Sequence, residues 1–141
     1  MMRDLIAAID LGSNSFRLQV GRIVNDQIYP LDGLKEAVRL AAGLSPDKKL
    51  DLASQQRGVV ALQRFQERLR DFPPERVRAV ATNTLRVAKN APEFLIRAEA
   101  ALGFPIEVIA GREEARLIYV GVAHTLPAPH KQQLVVDIDR K

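Results

Sequence analysis

A chain of 141 residues with 47% hydrophobic and 27% charged residues can bury a core of its own, which excludes a disordered or low-complexity protein. It has no cysteine, which excludes disulfide frameworks and thiolate-held metals, and no apolar run reaches the roughly 20 residues of a membrane span. The formal charge of +4, from 21 basic against 17 acidic residues, suits a polyanionic partner and equally suits plain solubility.

Met1-Met2-Arg3-Asp4 leads straight into a short buried run and not into a signal peptide, so a cytoplasmic protein without a membrane partner is expected. Leu5 to Ile9 is continuously apolar and ends in Asp10, the pattern of a central strand buried on both faces. Leu11-Gly12-Ser13-Asn14-Ser15 is made of turn formers, after which Phe16, Leu18 and Val20 alternate with Arg17 and Gln19 as in a half-buried strand. A third strand is expected from Gln27 through Lys35 to Leu40, broken by Pro30 and Gly33. Short turns between these strands predict an antiparallel meander.

From Asp51 the period changes. Val59, Leu62, Phe65, Leu69 and Phe72 mark one face of a long helix, capped by Asp51 and ended by Pro73-Pro74, with Arg64 and Arg68 solvated on its outside. Val77 to Ala81 predicts a buried strand. Asn90-Ala91-Pro92-Glu93 resembles a capping box before a helix with Phe94, Leu95, Ala98 and Leu102 on its apolar side, closed by Gly103. Ile106 to Ile109 predicts a strand, Glu113 to Val122 a helix, and Leu134 to Ile138 a last strand after a proline-bearing connection. The order β-β-β-α-β-α-β-α defines an α/β chain with a mixed sheet covered by helices. The expected divisions are a first lobe over 1–124, a linker over 125–132 and the start of a second lobe over 133–141.

Three segments could carry chemistry. In Ile9-Asp10-Leu11-Gly12-Ser13-Asn14-Ser15 a carboxylate at a strand end meets a turn whose N–H and side-chain donors could cradle an anion, with Asp10 placed for Mg²⁺; the same residues also suit a tight hairpin with no ligand. Gly111-Arg112-Glu113-Glu114-Ala115-Arg116 opens a helix, where a carboxylate serves either the helix dipole or an attacking water. Beyond a strand end, Ala81-Thr82-Asn83-Thr84-Leu85-Arg86 offers a guanidinium that could grip phosphate oxygens or pair with a surface carboxylate. His124 and His130 lack the spacing of a zinc site and receive no role.

Taken in order, Ala8 to Leu18, Ala81 to Asn90, Ile109 to Val122 and Leu134 to Ile138 resemble the exopolyphosphatase / guanosine pentaphosphate phosphatase (Ppx/GppA) family, over nearly the whole chain. The resemblance implies the first lobe of a ribonuclease-H-like, actin-like (ASKHA) fold. It implies removal of the terminal phosphate of inorganic polyphosphate, or the 5′-terminal phosphate of guanosine pentaphosphate, with Mg²⁺, no specific nucleic acid, and a homodimer. Carried over by position, Glu114 matches the carboxylate that activates water, and Gly12, Ser13, Asn14 and Ser15 match the first phosphate loop. Arg86 matches a phosphate-contacting arginine, and Asp10 and Asp137 match the acidic residues near metal and water. The family continues after its counterpart of Asp137-Ile138 into a glycine-rich second phosphate loop and a second lobe, whereas this sequence reads Asp139-Arg140-Lys141 and ends. A chain with one wall of the cleft is expected to turn over little by itself.

Overall fold

The structure, a computed structural model, describes residues 5–109. Strand β1 (Leu5–Leu11) contains the apolar run Leu5 to Ile9 and extends through Asp10 to Leu11, and β2 (Ser15–Val24) returns antiparallel to it with Leu11 opposite Phe16 and Ile6 opposite Gly21, so the turn itself narrows to Gly12-Ser13-Asn14. Asn25 and Asp26 turn the chain with φ of 53° and 66°, a two-residue left-handed turn whose twist matches the flanking strands, into β3 (Gln27–Ala37). Pro30 and Gly33 do not break β3. The register slips between Val20 and Gly21, which face Asp32 and Pro30, so the irregularity is a bulge that leaves Leu31 without a cross-strand partner. The strand also stops at Ala37 instead of reaching Leu40, because Val38 and Arg39 turn aside to donate to the Asn14 carbonyl.

Helix α1 (Leu52–Leu69) begins with Asp51 as its cap, the carboxylate accepting from Ser54 N at 2.7 Å. It ends before Phe72, which is still buried, and a short 3₁₀ turn at Pro74–Arg76 leads into β4 (Val77–Ala81). A one-turn helix α2 (Thr84–Val87) follows, then α3 (Ala91–Leu102), closed by Gly103 at φ 88°, and β5 (Ile106–Val108). The sheet order is β3-β2-β1-β4-β5, antiparallel through β1 and parallel from β1 to β5. This is the mixed sheet the element order predicts.

The core lies where the period-two face of the sheet meets the helical stripes. Ala7, Ile9, Leu11, Phe16, Leu18, Val20, Ala79 and Ala81 form one buried cluster with Leu62, Phe65 and Leu69 of α1 and Phe94, Ala98 and Leu102 of α3. Each large side chain so buried contributes about 1.5–3 kcal/mol relative to exposure. Gly58 brings α1 down onto this layer, since a Cβ there would sit 3.0 Å from the Phe94 ring and 3.3 Å from the Phe16 ring. On the opposite face Ile6, Ala8 and Val80 form a smaller cluster with Ile23, Ile28 and Ile109 packed against it.

Two further expectations are corrected. Asn90 does not cap α3 with its side chain; its amide grips Leu50 instead, accepting from Leu50 N at 2.9 Å and donating to Leu50 O at 3.0 Å. Arg64 and Arg68 are exposed but not merely solvated. Arg64 pairs with Glu36 at 2.7 Å and Arg68 with Asp32, so both tie the outside of α1 to β3. Such exposed pairs contribute only about 0–1 kcal/mol each.

Candidate functional site

Parallel pairing puts Leu11 beside Ala81 and Ala81 beside Val108, so β1, β4 and β5 all end at one edge of the sheet. In open α/β sheets the crevice beyond the carboxyl ends of such strands is where ligands bind. The loops leaving that edge are the two segments singled out above, Gly12-Ser13-Asn14 and Thr82-Asn83.

The first loop is held from one side. Its Ser13 carbonyl accepts from Ala41 N at 3.0 Å, and its Asn14 carbonyl accepts from Val38 N at 3.1 Å and Arg39 N at 2.8 Å. In a trans peptide the N–H points opposite to the carbonyl of the same unit. The N–H groups of Asn14 and Ser15 therefore project away from residues 38–41, from the other side of the turn. At Gly12 a Cβ would lie 3.0 Å from the Ser15 carbonyl oxygen, and the Gly12 N–H already donates to that oxygen at 3.1 Å, so any side chain would open the turn. The result is a narrow hairpin tip whose Ser13 and Asn14 carbonyls are tied to residues 38–41, with the N–H groups of the same peptide units directed away from them, as in backbone turns that hold anions.

The second loop meets the first. Thr84 Oγ1 donates to Ser13 Oγ at 2.9 Å, across 71 residues of sequence. Thr82 and Thr84 are both 5% exposed, so their hydroxyls are held against the protein and not splayed into solvent. Asn83 between them stands at φ 46°, ψ −99°, a region disfavoured for any residue but glycine and costing about 1–3 kcal/mol. Its carbonyl accepts from Arg86 N at 2.9 Å and Val87 N at 3.1 Å, which winds the chain immediately into α2, where Arg86 is exposed.

The structure thus brings the Gly12, Ser13, Asn14 and Ser15 turn together with Thr84, and Arg86 follows two residues on in α2. Asp10 sits three residues before Ser13, opposite Arg17 on β2 and Val80 on β4. Glu114 and Asp137 lie outside the described residues; Ile109, five residues before Glu114, leaves the sheet at this edge with its N–H donating to Ala81 O at 2.9 Å. Thr84 as the partner of Ser13 was not foreseen. The clustered Thr82-Asn83-Thr84 after a strand end was its only trace in the sequence.

Among the described residues no group of three or more His, Asp or Glu converges as a closed metal site. That does not conflict with Mg²⁺, which keeps waters and takes one or two carboxylates beside substrate phosphates. Asp10, a carboxylate at a strand end next to donors suited to phosphate, fits that habit.

An α/β sheet of this order, bearing a hairpin loop on its first strand and a second loop on a parallel neighbour, is that of an actin-like (ASKHA) lobe. Residues 19–139 match the Ppx/GppA phosphatase family, and the chain belongs to it. Among solved structures it is similar to the PPX-GPPA enzyme of Aquifex aeolicus, at 33% identity and a TM-score of 0.71 over 86% of this chain and 41% of that one. It is similar as well to an exopolyphosphatase from Cytophaga hutchinsonii, at 30% identity and a TM-score of 0.72 over 87% of this chain and 39% of that one. An exopolyphosphatase-like protein matches at 32% identity and a TM-score of 0.70, over 80% of this chain and 34% of that one. The chain therefore spans about two-fifths of the length of such relatives or less. Among the described residues no helix is long and apolar enough to cross a membrane.

Proposed function

We propose that this chain forms one wall of the phosphate cleft of an exopolyphosphatase, which hydrolyses the terminal phosphoanhydride of inorganic polyphosphate with water as nucleophile. The observation that carries the reading is the junction of Ser13 and Thr84 at 2.9 Å, which joins a hairpin tip rich in small polar residues to the start of the arginine-bearing α2 at the strand ends. Phosphoryl transfer needs positioning and charge neutralisation more than covalent chemistry, and both are within reach of these groups.

In this reading the outward N–H groups of Asn14 and Ser15 and the Ser13 hydroxyl bind the terminal phosphate, and Arg86 takes its equatorial oxygens. Glu114 orients the attacking water and accepts its proton as the bond to phosphorus forms. Asp10 and Asp137 would hold Mg²⁺, which when bound neutralises charge on the phosphate oxygens. The same wall would serve the 5′-phosphate of guanosine pentaphosphate, and membership of a family named for both activities supports testing both.

The test is phosphate release from long-chain polyphosphate and from guanosine pentaphosphate with Mg²⁺, by this chain and by a version extended to the length of the relatives. Release by the extended protein from polyphosphate, abolished in its Glu114→Gln variant, is expected. Release from guanosine pentaphosphate alone would replace the polyphosphatase reading, and wild-type rates in Glu114→Gln would remove that residue's role.

A further inference from the structure

The turn after β4 holds a residue that its backbone does not favour. Leu85 N donates to Thr82 O at 3.3 Å, which closes a four-residue turn with Asn83 in its first central position. At φ 46° and ψ −99° Asn83 lies close to the roughly +60°, −120° of a type II′ turn, a slot that glycine fills without strain. Asparagine tolerates positive φ best in the left-handed helical region, where ψ is positive and its short side chain can bond the nearby backbone. Asn83 has neither advantage. Its ψ is far from that region, and among the described residues its side-chain amide has no hydrogen-bond partner.

The rest of the turn is fixed. The Asn83 carbonyl is taken by Arg86 N and Val87 N, and Thr82 and Thr84 on either side are buried, whereas Asn83 is exposed. Thr84 is pinned to Ser13 at 2.9 Å, so Asn83, with its Cα about 3.8 Å from that of Thr84, adjoins the residue that touches the first loop. A glycine would make the same turn at lower cost, so the fold does not account for the amide. Strained residues of this kind persist where surrounding bonds over-determine them, and they gather at ligand sites.

We infer that Asn83 is a substrate-contacting residue, its side-chain NH₂ donating to a phosphate oxygen of the polyphosphate end held at the Gly12–Ser15 loop. The inference rests on the polyphosphatase reading and deepens it by adding a neutral donor from the β4 side of the crevice. An amide offers two N–H donors and no charge, so it fixes the position of an oxygen whose charge a guanidinium or Mg²⁺ neutralises. Strain on one side and contact on the other set stability against binding at this position.

The test measures tripolyphosphate binding and urea unfolding for this chain and for its Asn83→Gly and Asn83→Asp variants. Asn83→Gly is expected to raise the urea midpoint, since relief of strain outweighs the greater freedom of glycine in the unfolded chain, and to lower tripolyphosphate affinity about tenfold. Asn83→Asp keeps the size of the side chain and replaces its donor by a carboxylate. It should leave the midpoint near that of the wild type and weaken binding further, most of all at low salt, where repulsion is least screened. A Gly variant that binds as the wild type does, or whose midpoint falls, would overturn the inference and leave the functional reading standing. Wild-type affinity in the Asp variant would do the same. Failure of the wild type to bind tripolyphosphate would overturn the functional reading and this inference with it.

Discussion

The hydroxyl of Thr84 donates to the hydroxyl of Ser13 at 2.9 Å, and this single bond joins the two loops that leave the strand ends of β1 and β4. Thr84→Val keeps the shape and removes the donor. A stability loss of about 1 kcal/mol is expected in urea unfolding, together with weaker tripolyphosphate binding as the Ser13 hydroxyl loses its orientation. Loss of stability with unchanged binding would mark the pair as purely structural.

The amide of Asn90 acts on Leu50 as a neighbouring strand would, taking its N–H and serving its carbonyl. Leu50 is 4% exposed, so its N–H has no ready substitute in water. Gln55 Nε2 also donates to the Leu50 carbonyl at 3.1 Å, so the acceptor is less dependent on Asn90 than the donor is. Asn90→Ala should therefore cost about 1–3 kcal/mol, read as a lower urea midpoint with an unchanged slope. A loss within error of zero would show that the clamp is dispensable.

Acid should weaken the start of α1. The Ser54 amide and then the Ser54 hydroxyl bond the Asp51 carboxylate and hold its pKa below the ordinary 3.8. A carboxyl depressed in the folded state contributes stability above its unfolded pKa and loses it as pH falls through the folded value. Stability should decline as pH drops below 3.8, and Asp51→Asn, which still caps, should lessen that decline without removing the helix. Urea midpoints at neutral and acid pH check this; parallel declines in both proteins would contradict it.

Gly58 lies where α1 touches the Phe94 and Phe16 rings at 3.0 and 3.3 Å from a notional Cβ. Both rings are fully buried and have little room to retreat. Gly58→Val should cost about 1–3 kcal/mol by overpacking, despite removing a glycine from a helix. A more stable variant in thermal unfolding would show that α1 can shift away from α3.

Much of this fold was legible in local pattern. Val77 to Ala81 is a strand within the bounds its apolar run predicts, Asp51 caps its helix, and Gly103 takes the left-handed turn that ends another. These features depend on residues a few positions apart. What local pattern could not reveal depends on distant ones. A four-residue helix such as α2 is too short to show a period, and Asn90 finds Leu50 across 40 residues. Arg68 meets Asp32 only because α1 lies along β3. The same division holds in the candidate site. The composition of Gly12-Ser13-Asn14-Ser15 pointed to a donor-rich turn, while its link to Thr84 follows from the β1–β4 register, which no spacing in the sequence encodes.

That parallel register also imposes an order in time. The strands β1, β2 and β3 are joined by short turns and are complete by Ala37, whereas β4 pairs with β1 only after the whole of α1 has been made. Contacts near in sequence close fastest, and a chain emerging from the ribosome presents its N-terminal elements first. During synthesis the first loop is therefore made well before its partner, and the Ser13–Thr84 junction can close only when Thr84 has emerged.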